Sequence, residues 1–336
     1  MTLIEFKNNG YDPQIDYLKG LCILFVIWTH ALNRSELNHI LFPYWGDTAV
    51  PLFLIIQVFH YFKNGNAVRM PSAFKLWRRI LRPFIIMIIV MFMVQYLIYY
   101  DITDGLFTPS LYWDKRGPGS YYIFIFIEFA FIIPLLAPLI KKLSNRWALF
   151  FFVTFSQLLE SISCITQCPD NIYRILFFRY TFLIFIGYLL ATKKLELNKL
   201  TFCASGIGII TLYLFNYTNI DLEPLFYTSL SNWKYCHWIC YFYIAYLFLW
   251  FLKYIYIKTN KSIINYLVII GKYSYEIYLF QIFYYATCSM YVNYFLNAIT
   301  NYYIHRLLFV LISITVCVVL TITVKSVINN KCSQAN

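Results

Sequence analysis

The sequence predicts an all-α fold: a polytopic membrane bundle of about ten transmembrane helices. Three observations carry that expectation. The 336 residues are 61% hydrophobic and only 12% charged, whereas a soluble domain has about 45–50% apolar and about 25% charged residues. Apolar segments close to the length needed to cross a bilayer recur along the whole chain. The connections between them alternate between basic and base-poor.

The segments fall at 17–33, 47–62, 80–100, 119–140, 147–163, 172–191, 199–216, 236–257, 262–290 and 304–324. The second is short enough to be re-entrant, and the ninth is long enough to be kinked or broken. The connections are short and carry no repeat or low-complexity tract, so one transmembrane domain over 1–336 is expected. Polar residues precede the first segment and no small-residue cleavage site follows it, so that helix is expected to stay in the protein.

The charges test the count independently. The connection after the second segment holds Lys63, Arg69, Lys75, Arg78, Arg79 and Arg82 and no acid. Lys141, Lys142 and Arg146 follow the fourth, Lys193, Lys194, Glu196 and Lys199 the sixth, Lys253, Lys258 and Lys261 the eighth, and Lys325 and Lys331 the tenth. The intervening connections hold Arg34, Glu36 and Asp47; Asp101, Asp104, Asp114, Lys115 and Arg116; Glu160, Asp170 and Arg174; and Asp221, Glu223 and Lys234. The connection at 291–303 has no charge. By the positive-inside rule both termini are expected in the cytoplasm.

The net charge of +12 does not point to nucleic acid, because the basic residues sit in short clusters between apolar runs. The lipid bilayer is the expected partner, and 32 Tyr and 8 Trp suit a large interfacial surface. The nine cysteines form no CxxC motif and no zinc spacing, so no metal is expected. Cys164 and Cys168 flank one connection and could pair on an oxidising side.

Ionisable and polar residues inside apolar segments are functional candidates by default. In the first segment, Lys19 and His30 are eleven residues apart. A helix places them on one face, roughly 16 Å apart along its axis. Asp16 lies one turn below Lys19 on nearly the same face. His30 either exchanges a proton near neutral pH or caps the far end of the helix. Lys19 either holds an anionic group or pairs with Asp16.

In the second segment Gln57 and His60 share a face, with Gln57 deeper and in need of a hydrogen-bond partner. Arg78, Arg79 and Arg82 crowd the start of the third, either as membrane anchors or as a site for phosphates. Glu128 lies within the fourth segment and Arg179 within the sixth, and both should face the protein interior. Ser274, Tyr278 and Gln281 make one polar stripe in the ninth, with Glu276 off it. His237 and His305 stand at ends of apolar runs and read as interfacial. No GxSxG elbow, Walker loop, HExxH or Gly-rich dinucleotide turn is present.

Taken together, three stretches resemble the acyltransferase type 3 family of integral membrane acyltransferases. Ile15-Asp16-Tyr17-Leu18-Lys19-Gly20 through Val26-Ile27-Trp28-Thr29-His30-Ala31 looks like the family's first-helix motif, a basic residue and a histidine with ten residues between them. Arg78-Arg79-Ile80-Leu81-Arg82-Pro83 looks like its basic start to the third helix. Gly271-Lys272-Tyr273-Ser274-Tyr275-Glu276-Ile277-Tyr278-Leu279 looks like its late glycine, serine-tyrosine and tyrosine-leucine motif. Tyr122 to Pro134, with Glu128, is similar to the fourth-helix region more loosely. Lys19 stands where arginine is usual, Gln57-Val58-Phe59-His60 replaces the usual serine-glycine pair on the second helix, and Gln281 stands where histidine is often seen.

The resemblance implies transfer of an acyl group, often acetyl, from cytoplasmic acyl-CoA to a hydroxyl of a cell-envelope polysaccharide or glycolipid. It implies a bacterial cytoplasmic membrane as the location. His30 would be the catalytic histidine, while Lys19, Arg78, Arg79 and Arg82 would engage the donor, with no bound cofactor. Direct transfer and a covalent acyl-histidine are both open. A transporter or flippase of a lipid-linked sugar, served by Glu128, Arg179 and Gln57, is the rival reading. A glycan polymerase and an inactive scaffold stand behind it.

Overall fold

A computed structural model describes residues 12–63, 70–99, 118–218 and 237–334. Arg69 and the connecting charges Asp101, Asp104, Asp114, Lys115, Arg116, Asp221, Glu223 and Lys234 lie outside the described residues. Within the described residues the fold is all-helical, with no strand. In chain order the helices are α1 (Pro13–Ala31), α2 (Arg34–His39), α3 (Ala49–Lys63), α4 (Ala73–Leu76), α5 (Arg82–Tyr99), α6 (Tyr122–Lys142), α7 (Asn145–Ile165) and α8 (Asp170–Tyr173). They continue as α9 (Thr181–Ala191), α10 (Lys199–Tyr217), α11 (Tyr241–Trp250), α12 (Tyr256–Lys258), α13 (Lys261–Lys272), α14 (Ser274–Thr287), α15 (Ser289–Leu296) and α16 (Tyr302–Gln334).

Every predicted apolar segment contains helix, but seven stretches, not ten, are long and apolar enough to cross a membrane among the described residues. These are Phe42–Lys63, Ala73–Leu97, Tyr122–Lys142, Asn145–Ile165, Lys199–Tyr217, Trp238–Lys258 and Tyr302–Ile328. The other three differ for visible reasons. α1 carries Asp16 and Lys19 within its apolar run. The predicted helix at 172–191 is interrupted, and only the short stretch Phe178–Ala191 is apolar helix. The predicted helix at 262–290 breaks at Tyr273 into α13 and α14. The outward faces are apolar; on α5, Ile86, Ile89, Met93 and Leu97 are exposed. A belt of that kind belongs against lipid rather than water, and the protein is an integral membrane protein.

α1 is the centre of the bundle, packed by α3, α13, α14 and α16. Asp12 caps it by accepting a bond from the Gln14 amide at 3.1 Å, and Pro13 occupies the first turn, where its missing N–H costs nothing. Its far end stops at Leu32, where the backbone turns extended. The capping box of Asn33 and Glu36 then opens α2.

The closest contact in the bundle is α1 against α13. A Cβ added at Gly271 would lie 1.7 Å from the Asp16 carbonyl oxygen, and one at Gly20 would lie 2.1 Å from that of Leu267. The two glycines let the backbones meet, which is how helices associate where lipid removes the hydrophobic drive between them. The break after α13 redirects the chain into α14, whose tyrosines tie the neighbours together. Tyr275 donates to the Ile80 carbonyl at 2.6 Å and Tyr285 to the Ile27 carbonyl at 2.7 Å. Ile80 lies on a π turn, Trp77–Leu81, just before Pro83. Proline lacks an amide donor and crowds the preceding turn, and Tyr275 satisfies one carbonyl of that widened segment.

At the His30 end, Arg306 of α16 donates through Nε and Nη2 to Glu36 at 2.7 and 2.8 Å, and through Nη2 to the Ala31 carbonyl at 3.1 Å. Tyr302 donates to the same carboxylate. Burial raises the Glu36 pKa, but the bonds from Arg306, Tyr302 and the Asn33 backbone outweigh it and hold the group below its ordinary value of 4.5. A lowered carboxylate stabilises the fold above its unfolded pKa and stops doing so as pH falls through the folded one. The melting temperature should therefore drop on acidification below about pH 4.5, and Glu36→Gln should remove part of that acid slope. Thermal melts across a pH series check this.

His237 stands directly before the stretch Trp238–Lys258 and is buried there, and its Nδ1 accepts from the Ile239 amide at 3.5 Å. One smaller expectation is corrected: Cys164 and Cys168 are free thiols.

Candidate active site

A cavity of about 650 Å³ lies between α1, α3, α6 and the α13–α14 break. α1 lines it along its length, because Lys19 and His30 share a face as their spacing predicts. α3 runs antiparallel to α1. Lys63 meets Asp12 at 2.9 Å at one end of the pair, and Arg34 meets Asp47 at 2.6 Å at the other. The lining therefore sorts into two ends. Lys19, His60 and Lys272 gather at one, and His30, Asp47 and Arg174 at the other. Gln57 lies between them, with the aromatic rings of Phe53 and Tyr122.

At the first end Lys19 pairs with Asp16 at 3.0 Å while also facing the cavity. Its charge and that of Lys63 act on His60, offset by Asp12 and Asp16. Lys272, exposed at the rim, adds a second cation. Gln57 donates to the Phe126 carbonyl at 2.9 Å, which ties α3 to α6, and its Oε1 has no partner among the described residues.

At the second end His30 is half-buried in the last turn of α1 and caps nothing among the described residues. It packs edge-on against Tyr285 with ring centroids 6.0 Å apart, and the charge of Arg174 acts on it. Gly119 closes the wall beside its ring. Gly119 has φ +86°, and a Cβ there would lie 3.1 Å from His30 Nε2. Two residues of the predicted polar stripe hold that turn in place. Tyr278 donates to the Gly119 carbonyl at 2.7 Å and Gln281 to the Pro118 carbonyl at 3.3 Å. Gly119→Ala forces an L residue into left-handed backbone, at roughly 1–2 kcal/mol, and crowds the imidazole. Its expected result is a loss of turnover larger than the loss of thermal stability, measured side by side on purified protein.

Six of the sequence candidates thus share one cavity: Lys19, His30, Gln57, His60, Ser274 and Tyr278. Asp16 and Gln281 support it from behind. Arg78, Arg79 and Arg82 do not line it; they are exposed on the turn whose Ile80 does. Glu128 and Arg179 lie elsewhere and do not pair with each other. Glu128 takes a hydrogen bond from the Phe177 backbone, whereas Arg179 sits 4.6 Å from the Tyr173 ring and acts on Glu160. The charged cavity residues that sequence reasoning passed over are Asp47, Arg174 and Lys272. The first two read as loop charges, and Lys272 stood unremarked inside a longer motif. Only the fold turns them inward.

The described residues thus form a bundle of apolar helices around a half-buried histidine, with cations at the opposite end of one cavity. The acyltransferase-domain model of the acyltransferase type 3 family matches residues 12–322, and the chain belongs to that family. No curated protein and no solved structure matches it. The protein is a membrane acyltransferase.

Proposed function

We propose that this protein transfers an acetyl group from cytoplasmic acetyl-CoA to a hydroxyl of a cell-envelope polysaccharide or glycolipid, in a bacterial cytoplasmic membrane. The observation that carries the reading is the single cavity joining Lys19 to His30. The donor enters at the Lys19 end, where Lys19 and Lys272 meet its phosphates, with Arg78, Arg79 and Arg82 on the adjacent outer surface. Arginine forks suit phosphate oxygens, and lysines act as point charges. The thioester carbonyl reaches toward His30, and the acceptor arrives from the His30 end.

His30 takes the proton from the acceptor hydroxyl as that oxygen attacks the thioester carbonyl carbon. The carbon–sulfur bond breaks, and the departing CoA thiolate receives the proton from His30. The products are an ester and free CoA. With Lys19 and both termini on the cytoplasmic side, the orientation that the positive-inside pattern supports, the Lys19 end faces the compartment where acetyl-CoA is available. A transporter would draw on Glu128, Arg179 and Gln57, and of these only Gln57 faces the cavity.

The test is the acetyl content of surface glycan in a strain lacking this protein. Wild-type protein should restore it, and His30→Ala should not. Full restoration by His30→Ala would sink the mechanism.

A further inference from the structure

The chain breaks between α8 and α9, and residues 174–177 belong to neither helix. Irregular backbone among membrane helices is tolerated where it is buried in protein or lines a cavity. Costly groups hold this break from both sides. Glu128 of α6 takes a hydrogen bond from the Phe177 backbone. Glu160 of α7, only 4% exposed, is acted on by the Tyr173 hydroxyl and by the charge of Arg179. Arg179 lies back over the Tyr173 ring at 4.6 Å, and its carbonyl accepts from the Tyr241 hydroxyl at 2.8 Å.

Arg174 is the first residue of the break. It lines the cavity, whereas Glu128, Glu160 and Arg179 do not. The wall turn from Gly119 to Tyr121 meets both Arg174 and His30. The Arg174 guanidinium carbon lies 5.7 Å from the centre of the Tyr121 ring, and a Cβ at Gly119 would lie 3.1 Å from His30 Nε2. The charge of Arg174 is felt at the imidazole. Glu128 and Arg179, the membrane charges that the cavity itself does not use, thus fix the segment that carries Arg174 to it.

We infer that Arg174 is a further catalytic residue, whose guanidinium stabilises the negative charge that forms on the thioester carbonyl oxygen as the acceptor oxygen attacks. This rests on the acyl-transfer reading of the cavity and adds the electrostatic half of that reaction to it. A guanidinium stays protonated and only donates, so Arg174 attracts negative charge and moves no proton. The donor's phosphates belong to Lys19 and Lys272 at the opposite end. A cation beside a base that must itself become cationic is unfavourable, unless an anion forms between them in the same step. The carbonyl oxygen is that anion: it gains charge as the carbon–oxygen bond forms and loses it as the carbon–sulfur bond breaks. Donors aimed at charge that develops only in the transition state act on rate rather than on binding.

The experiment uses the full-length protein in detergent, radiolabelled acetyl-CoA, and glycan released from envelopes of a strain lacking the protein. Arg174→Gln should lower kcat by about 10²- to 10³-fold, the range for loss of one oxyanion donor. The half-saturating concentrations of glycan and acetyl-CoA should both stay within about twofold. Arg174→Lys keeps the charge without the fork and should recover part of kcat, again with both half-saturating concentrations unmoved. Glu128→Ala should slow turnover less, and the double variant with Arg174→Gln should be no slower than Arg174→Gln alone, because Glu128 acts through the segment that carries Arg174. Melting curves show that each variant is folded.

Wild-type transfer with kcat unmoved in both Arg174 variants would overturn the inference alone. So would a raised half-saturating glycan concentration with kcat retained at saturation, which would make Arg174 an anchor for an anionic group of the acceptor. Wild-type protein that transfers no acetyl to the glycan would remove the acyl-transfer reading and this inference with it.

Discussion

His30→Ala should lower acetyl transfer by about 10²- to 10⁴-fold, the range over which a positioned general base acts, while acetyl-CoA binding stays close to wild type. The reason is the separation within the cavity. His30 stands with Asp47 and Arg174, whereas the cations at the donor end, Lys19 and Lys272, are on the far side of Gln57. On the proposed mechanism, removing the imidazole takes away proton transfer and leaves the phosphate contacts. Loss should therefore appear in kcat with little change in the half-saturating acetyl-CoA concentration. Lys19→Ala should show the opposite division, a weakened donor dependence with most of kcat retained at saturation. It should be milder, because Lys272 shares that end and because part of the lysine's charge is already held by Asp16 at 3.0 Å. Steady-state kinetics on purified protein read both. Equal effects of the two substitutions on kcat and on donor saturation would show that the ends of the cavity are not functionally distinct.

The second large effect is at the α1–α13 crossing. Gly271→Ala should destabilise the protein by more than the roughly 1–3 kcal/mol typical of overpacking, because the added methyl meets backbone rather than a side chain that can turn aside. Its carbon would lie 1.7 Å from the Asp16 carbonyl oxygen and 2.9 Å from the Gly20 amide nitrogen. The helices must separate, and with them Lys19 on α1 and Lys272 on α13. Weaker acetyl-CoA binding should accompany the lower melting temperature. Gly206→Ala on α10 is the matched control: nothing lies within 4 Å of an added Cβ. Alanine there should be neutral or stabilising by up to about 1 kcal/mol, the helix-propensity difference. Fluorescence-detected gel filtration over a temperature series compares the two. Indistinguishable melting of Gly271→Ala and wild type would mean that α1 and α13 do not approach this closely.

The sequence was most readable where one helix carries the information. The eleven-residue step from Lys19 to His30 settles a shared face by helical geometry alone, and the apolar runs mark the helices because lipid demands both the length and the internally satisfied backbone. Gly20 and Gly271 stand in the stretches that carried the family resemblance, but nothing in either segment says that each exists for the other.

What needed two or more elements stayed out of view. Glu128 and Arg179 look like natural partners as intramembrane charges, yet each finds a nearer group, and Glu160, read as a loop acid, is the carboxylate that Arg179 acts on. Arg78, Arg79 and Arg82 form the densest positive run among the described residues but point outward, since the π turn before Pro83 presents Ile80 to the cavity instead.

By itself, then, the sequence determined a helical membrane protein, the face shared by Lys19 and His30, and the family that this spacing marks. The first two follow from local periodicity and from the cost of polar groups in lipid, and the family from the resemblance of the three motif stretches. The tertiary structure alone decided that Asp47 and Arg174 join His30, that Lys272 joins Lys19, and that Gly119 seats the imidazole. Each of these depends on how far apart separate helices stand and how the chain breaks at Tyr273, and spacing along a single segment does not encode either.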